Sequence, residues 1–105
     1  MIFYIILEEG DFMYKLLIVE DDFIIAKGLQ KHFEKYHYDV QYIEDFEHVL
    51  DEFLEFQPDL VLLDIHLPFF DGYYWCQEIR KISQVPIVFI SSANENMNIV
   101  LAMNM

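Results

Sequence analysis

The sequence predicts an α/β fold, a doubly wound parallel sheet with helices on both faces. From Met13 onward, short apolar runs alternate with segments of helical periodicity, as in chains built from βαβ units. The apolar runs are nearly continuous, as expected of strands that are covered on both faces. The chain has 105 residues, of which 55% are apolar, so it is long enough for one domain and too hydrophobic for a disordered chain despite a net charge of -13.

The first half of the fold is predicted within residues 15–54. The run KLLIV at 15–19 is a strand because it is almost wholly apolar. A helix is predicted over 23–36, where apolar side chains recur at spacings of four, and a short strand follows at 39–43. The strongest helical pattern lies at 46–54, where apolar residues recur at i, i+3, i+4, i+7 and i+8. Its members are Phe46, Val49, Leu50, Phe53 and Leu54.

The second half continues the alternation. The apolar run LVLL at 60–63 is a strand that stops at Asp64, and a loop with Pro68 and Gly72 leads into a third helix over 73–82. The run PIVFI at 86–90 is the fourth strand. Apolar residues at helical period from Met97 to Met105 predict the beginning of a fourth helix.

Composition excludes several functions. The six basic residues are scattered along the chain, whereas phosphate neutralisation needs clustered Lys and Arg, so this chain is not expected to bind nucleic acid itself. Its longest apolar run of about six residues is far short of the roughly 20 that span a bilayer, so no membrane insertion is expected. A single cysteine, Cys76, excludes an intramolecular disulfide framework and fits a cytoplasmic location.

Acidic and hydroxyl side chains follow the predicted strands. Glu20, Asp21 and Asp22 come after the first strand, Asp64 after the third, and Ser91 after the fourth. The carboxyl ends of parallel strands meet at one edge of a sheet, where such folds place their binding sites. Clustered carboxylates repel one another unless a cation neutralises them, and Mg²⁺ prefers such oxygen ligands. The sequence therefore predicts a Mg²⁺ site, with Asp22 assigned instead to capping the helix that follows it.

Three motifs carry a family resemblance. The segments LLIVEDD at 16–22, LVLLDIHLPFFDG at 60–72 and PIVFISS at 86–92 together resemble the receiver domain of bacterial two-component response regulators, which has a flavodoxin-like fold. The resemblance implies that Asp64 is the phospho-acceptor. It implies that Glu20, Asp21, Asp64 and the backbone carbonyl of His66 bind Mg²⁺. It also implies that Ser91 hydrogen-bonds the phosphoryl group and couples it to a conformational switch.

The resemblance carries further expectations about partners. The phosphoryl donor would be a sensor histidine kinase, a receiver–receiver dimer is allowed, and the chain would act in phosphorelay signalling rather than as an enzyme. The segment DGYYWCQEIR at 71–80 resembles the winged-helix transcription-factor branch from Firmicutes, whose membrane kinases respond to cell-envelope antibiotics. A linked DNA-binding domain would then be the usual target of control, and it is absent from this chain.

The segment that resembles a receiver, 13–105, is expected to be truncated. A complete receiver continues with a fifth strand that ends near a lysine and a fifth helix, so we expect the final strand and helix to be missing here. The apolar edge of the strand at 86–90 would then be exposed. Residues 1–12 are expected to be leader read-through or an N-terminal extension, because Met13 stands directly before the first strand.

Two alternatives remain open from the residues. A haloacid-dehalogenase-like phosphatase also places an Asp after a parallel strand, but its motif resembles DxD, and here the second position after Asp64 is His66. A catalytically silent receiver remnant could serve as a protein-interaction module.

Four residues near the motifs are expected to have structural roles only. The side chain of His66 is expected to be a solvated loop histidine, and Tyr73, Tyr74 and Trp75 are expected to pack in the core or on a helix face.

Overall fold

The computed structural model describes residues 13–91 and the backbone of 101–103. Strands and helices alternate over most of this length, as predicted. In chain order the elements are β1 (Lys15–Val19), α1 (Phe23–Glu34), β2 (Asp39–Tyr42), α2 (Val49–Phe56), β3 (Leu60–Asp64), α3 (Gly72–Arg80), β4 (Ile87–Ile90) and β5 (Leu101–Met103). Among the described residues, no helix is long and apolar enough to cross a membrane. The expectation for residues 1–12 lies outside the described residues.

The strands form one sheet in the order β2-β1-β3-β4-β5. Strands β1 to β4 are parallel, which confirms the predicted doubly wound fold. Val19 of β1 pairs with Leu63 of β3, and Asp64 pairs with Ile90 of β4. The carboxyl ends of these three strands therefore lie side by side. The chain order reverses between β1 and β3, which is the switch point where open parallel sheets bind their ligands.

Each face of the sheet is covered by helices. On one face, α2 and α3 pack against alternate residues of β1, β3 and β4, and the buried helix residues are Val49, Phe53, Phe56, Trp75, Cys76 and Ile79. On the other face, α1 packs through Ala26, Leu29 and Phe33 against Leu16, Ile18, Val40 and Leu62. Because both faces are covered, β1, β3 and β4 are apolar along nearly their whole length.

Helix α2 begins three residues later than its periodicity predicts. Residues 45–48 form a turn in which the His48 N–H donates to the Asp45 carbonyl at 3.1 Å and the His48 ring lies 2.8 Å from the Asp45 carboxylate. Phe46 therefore packs against the core from this turn rather than from the helix, and Leu54 is exposed. The helix ends at Phe56, where Gln57 adopts a left-handed conformation before Pro58.

The predicted fourth helix is wrong where the structure can be compared with it. Residues 101–103 form a strand antiparallel to β4, with Met103 opposite Ile87, while 97–100 and 104–105 lie outside the described residues. The free edge of β4 offers unpaired backbone N–H and C=O groups, and pairing with them outweighs the helical periodicity of the segment. The expected exposed edge at 86–90 is wrong for the same reason, because β5 covers residues 87–89.

Candidate metal centre

Three carboxylates meet at the switch point of the sheet. Glu20 and Asp21 follow β1, and Asp64 ends β3. Because Val19 pairs with Leu63, the next residues along the two strands, Glu20 and Asp64, are neighbours. Each of the three carboxylates offers an oxygen within 4.8 Å of the others. The structure thus brings together the three acidic residues that the sequence predicts as metal ligands.

The environment of Glu20 is unfavourable to a charged carboxylate. Its side chain is only 2% exposed, and its Oε2 accepts a hydrogen bond from the Asp22 N–H at 3.0 Å. Its Oε1 is buried and accepts no hydrogen bond from any residue between 13 and 91. Burial, followed by the neighbouring Asp64 carboxylate, raises the pKa of Glu20 from 4.5 to about 7, although the Asp22 hydrogen bond opposes the shift.

Asp64 and Asp21 differ in exposure. Asp64 is 1% exposed, and its Oδ1 accepts the His66 N–H at 3.2 Å, which orients the carboxylate from within its own loop. Asp21 is exposed and lies at the rim of the cluster. The centre therefore has two buried carboxylates and one that faces solvent.

The donor set fits a hard divalent cation. Carboxylate oxygens are the ligands that Mg²⁺ prefers, and Mg²⁺ commonly keeps several waters while binding to one or two protein carboxylates. The buried Oε1 of Glu20 is the strongest sign of fit, since a bound cation would compensate for the hydrogen bond that this atom lacks among the described residues. The same cation would relieve the repulsion between Glu20 and Asp64.

The end of the loop between β3 and α3 packs its backbone directly against the backbone of Asp64 and Ile65. The Gly72 N–H donates to the Ile65 carbonyl at 2.9 Å. A Cβ at position 72 would overlap the Asp64 carbonyl oxygen and lie 3.0 Å from the Ile65 Cα, so only glycine fits here. Asp71 caps α3 by accepting the Tyr74 N–H at 2.9 Å. These contacts hold the first turn of α3 directly on the end of β3.

The remaining predicted residues lie at the same edge. Ser91 directly follows β4, and the Ile65 N–H donates to the Ile90 carbonyl at 3.2 Å, so Ser91 lies one residue beyond the strand pairing at Asp64. His66 is exposed, as expected of a loop histidine. The capping role of Asp22 is confirmed, because its carboxylate accepts the N–H groups of Ile24 and Ile25 at 3.0 and 3.2 Å.

The aromatic residues at the start of α3 pack as predicted, although two of them stay partly exposed. Trp75 is buried, the Tyr73 ring lies 5.1 Å from that of buried Phe89, and the Tyr74 ring stacks on Phe70. The exposed fractions of Tyr73 and Tyr74 are 45% and 38%. A cleft of about 340 Å³ lies beside Glu20 and Asp21, with Phe23, Tyr42 and Phe46 in its wall. Sequence reasoning missed this cleft because its wall combines residues from α1, β2 and a turn, which share no periodic pattern.

Fold and site together define a class: a flavodoxin-like α/β domain with an acidic centre at its switch point and an aspartate at the end of a buried central strand. The chain belongs to the response regulator receiver domain family, which matches residues 16–105. The family match contradicts the phosphatase alternative.

The relatives belong to the winged-helix transcription-factor branch from Firmicutes that the sequence predicts. The chain is 53% identical over 90 residues to the transcriptional regulatory protein YvcP of Bacillus subtilis (strain 168), a match that covers 86% of this chain and 38% of YvcP. It is similar in structure to the N-terminal domain of the nisin resistance regulator NsrR, a lantibiotic response regulator. The TM-score is 0.72 at 45% identity, over 82% of this chain and 73% of that one.

A further structural relative contains a metal. The response regulator protein TrrA from Thermotoga maritima, solved in complex with Mg²⁺ and BeF, matches with a TM-score of 0.71 at 29% identity, over 78% of this chain and 72% of that one. The chain spans about two fifths of the length of the curated relatives that it matches.

Proposed function

We propose that this chain accepts a phosphoryl group on the Asp64 carboxylate from a phosphohistidine of a sensor histidine kinase, as the receiver of a cytoplasmic phosphorelay. The observation that carries the proposal is the convergence of Glu20, Asp21 and Asp64 within 4.8 Å at the switch point. The chain would act as a stoichiometric acceptor rather than as an enzyme.

The transfer is a substitution at phosphorus. An Asp64 oxygen attacks the phosphorus atom, an O–P bond forms, and the N–P bond to the donor imidazole breaks with its electron pair returning to nitrogen. The His66 N–H at 3.2 Å holds Asp64 Oδ1 in place. Burial of Asp64 keeps the nucleophile away from bulk water, which would otherwise compete as an acceptor.

The residues that would hold Mg²⁺ are Glu20, Asp21, Asp64 and the backbone carbonyl of His66. When bound, the ion supplies positive charge that allows a phosphoryl group to approach an acidic site. The Asp22 N–H holds Glu20 Oε2 at 3.0 Å and leaves Oε1 for the centre. The Mg²⁺ in the TrrA complex supports this assignment. Ser91, beyond the end of β4, would hydrogen-bond a phosphoryl oxygen and couple it to the switch.

The similarity to longer regulators extends the proposal to the whole protein. YvcP is a transcriptional regulatory protein and NsrR is a nisin resistance regulator. We infer that phosphorylation of this receiver controls transcription through a DNA-binding partner domain, in response to an antimicrobial peptide at the cell envelope. Receiver–receiver dimerisation would be the intermediate step.

The test uses a small phosphoryl donor. Acetyl phosphate with Mg²⁺ should add one phosphoryl group to the chain as a base-labile acyl phosphate, detected by intact-protein mass spectrometry. Asp64→Asn should abolish the labelling, because the amide is nearly isosteric but is not a carboxylate nucleophile. Asp51→Asn, at an exposed position of α2, is the matched control and should label normally. Labelling that persists in Asp64→Asn would exclude the assignment, and a wild type that binds Mg²⁺ without labelling would favour the silent interaction module.

A further inference from the structure

A strained turn lies in the loop between β3 and α3. Phe69 has a φ of 68°, and the Phe70 N–H donates to the Pro68 carbonyl at 2.8 Å. This is a γ-turn with a left-handed central residue, a rare and strained conformation for a residue with a side chain. Glycine would adopt the same φ without steric cost. A bulky aromatic residue thus occupies a position whose backbone favours glycine.

The fold gains little packing from the Phe69 ring. Phe69 is 68% exposed, which makes it one of the most exposed large apolar side chains between residues 13 and 91. Its neighbour Phe70 is 41% exposed and stacks on Tyr74, with ring centroids 4.3 Å apart. Phe69, Phe70, Tyr73 and Tyr74 are all exposed aromatic residues of this loop and the first turn of α3, and we call them the aromatic rim.

The aromatic rim lies beside the proposed phospho-acceptor. The loop leaves β3 after Asp64 and returns to it at Gly72, whose N–H bonds to Ile65. Phe69 is therefore at the tip of a short loop, and both ends of that loop lie on the backbone next to Asp64. Because Asp64 is 1% exposed, a protein donor has to cover this edge of the sheet to bring its phosphohistidine to the carboxylate.

We propose that the Phe69 ring contacts an apolar surface of the protein that donates the phosphoryl group, next to the phosphohistidine, and thereby speeds transfer from that protein. This inference rests on the proposed function. The chain has a net charge of -13, and its centre is acidic, so a phosphorylated donor gains little from charge attraction at this edge. An exposed aromatic ring supplies attraction that does not depend on charge, and such rings are common among the residues that dominate interface energies. The ring of Phe69 is 68% exposed, so a partner can contact it without any rearrangement of the core.

The experiment compares two donors of different size. Acetyl phosphate reports the chemistry at Asp64 alone, because it is too small to contact Asp64 and Phe69 at the same time. The protein donor is the autophosphorylated cytoplasmic domain of whichever kinase from the source genome labels the wild-type chain fastest. Phe69→Gly removes the ring and suits the backbone, and Phe69→Tyr keeps an aromatic ring. Ile82→Ala is the matched control, because Ile82 is 52% exposed and lies after the end of α3, at the opposite edge of the sheet.

We expect Phe69→Gly to lower the second-order rate of transfer from the kinase about tenfold, equivalent to about 1.4 kcal/mol, while acetyl phosphate labelling changes less than twofold. Phe69→Tyr and Ile82→Ala should transfer like the wild type, and the thermal midpoint of Phe69→Gly should not fall. The inference is overturned if the kinase transfers to Phe69→Gly as fast as to the wild type. It is also overturned if Phe69→Gly lowers the labelling rate equally with both donors, because Phe69 would then act on the geometry around Asp64 rather than on the kinase. Failure of both donors to label the wild type would instead overturn the proposed function, and the inference with it.

Discussion

Replacement of Glu20 by glutamine should stabilise the metal-free protein at neutral and alkaline pH. The glutamine amide has the shape of the carboxylate, and its oxygen can keep the hydrogen bond from the Asp22 N–H at 3.0 Å. Its NH₂ group can donate toward the Asp64 carboxylate, which repels Glu20 in the wild type. The substitution thus removes a buried charge and a repulsion without opening a cavity.

The magnitude follows from the pKa of Glu20, which the fold raises from 4.5 to about 7. The folded state then holds a proton that the unfolded state has lost, so wild-type stability decreases as pH rises from about 4.5 and levels off above about 7. Each pKa unit corresponds to about 1.4 kcal/mol, so the full penalty at pH 8 is about 3 kcal/mol. At pH 5 most of the penalty is absent, and the advantage of Glu20→Gln should fall below about 1 kcal/mol.

Urea denaturation in EDTA at pH 5 and pH 8 measures these differences. Glu55→Gln, at an exposed position of α2, is the matched control and should show no comparable gain. Saturating Mg²⁺ should then stabilise the wild type more than Glu20→Gln, because binding to the folded state adds stability in proportion to RT ln(1 + [Mg²⁺]/Kd). Equal stability of wild type and variant at pH 8 in EDTA, or an advantage that grows on acidification, would refute the reasoning.

Two further predictions concern the same edge of the sheet. Asp21→Ala should weaken Mg²⁺ binding at least tenfold, because it removes the solvent-facing carboxylate of the centre; calorimetric titration measures this, and an unchanged Kd would remove Asp21 from the ligand set. Gly72→Ala should destabilise the fold by about 1–3 kcal/mol, because its Cβ would overlap the Asp64 carbonyl oxygen. Urea denaturation measures the loss, and a wild-type midpoint would show that the loop relaxes without cost.

The sheet and the location of the centre were predictable from the sequence. Buried parallel strands need continuous apolar runs, and the run at 15–19 stands out from its polar neighbours. Once such strands are parallel, the residues that follow them share an edge, and this is why the sequence alone predicts that Glu20 and Asp64 lie together. The capping role of Asp22 was predictable because its hydrogen bonds are local, to N–H groups two and three residues further along the chain.

Features that depend on long-range competition were not predictable. The segment 97–105 has apolar residues at helical period, yet its residues 101–103 pair with the free edge of β4 as a strand. Glu20 and Asp21 are adjacent in one motif, but the first is buried and the second exposed, because successive side chains at a strand end point in opposite directions. The positive φ of Phe69 has no signature in its residue type, since the backbone there would suit glycine better.

The absence of a side chain at Gly72 has a mechanical consequence. The backbone of position 72 lies directly against the peptide of Asp64 and Ile65, so β3 and the first turn of α3 are in backbone contact with no side chain between them. A displacement of the Asp64 peptide would therefore press directly on the start of α3, which carries the exposed rings of Tyr73 and Tyr74. A change in charge at a buried carboxylate can thus alter the position of surface aromatic groups through a single glycine contact.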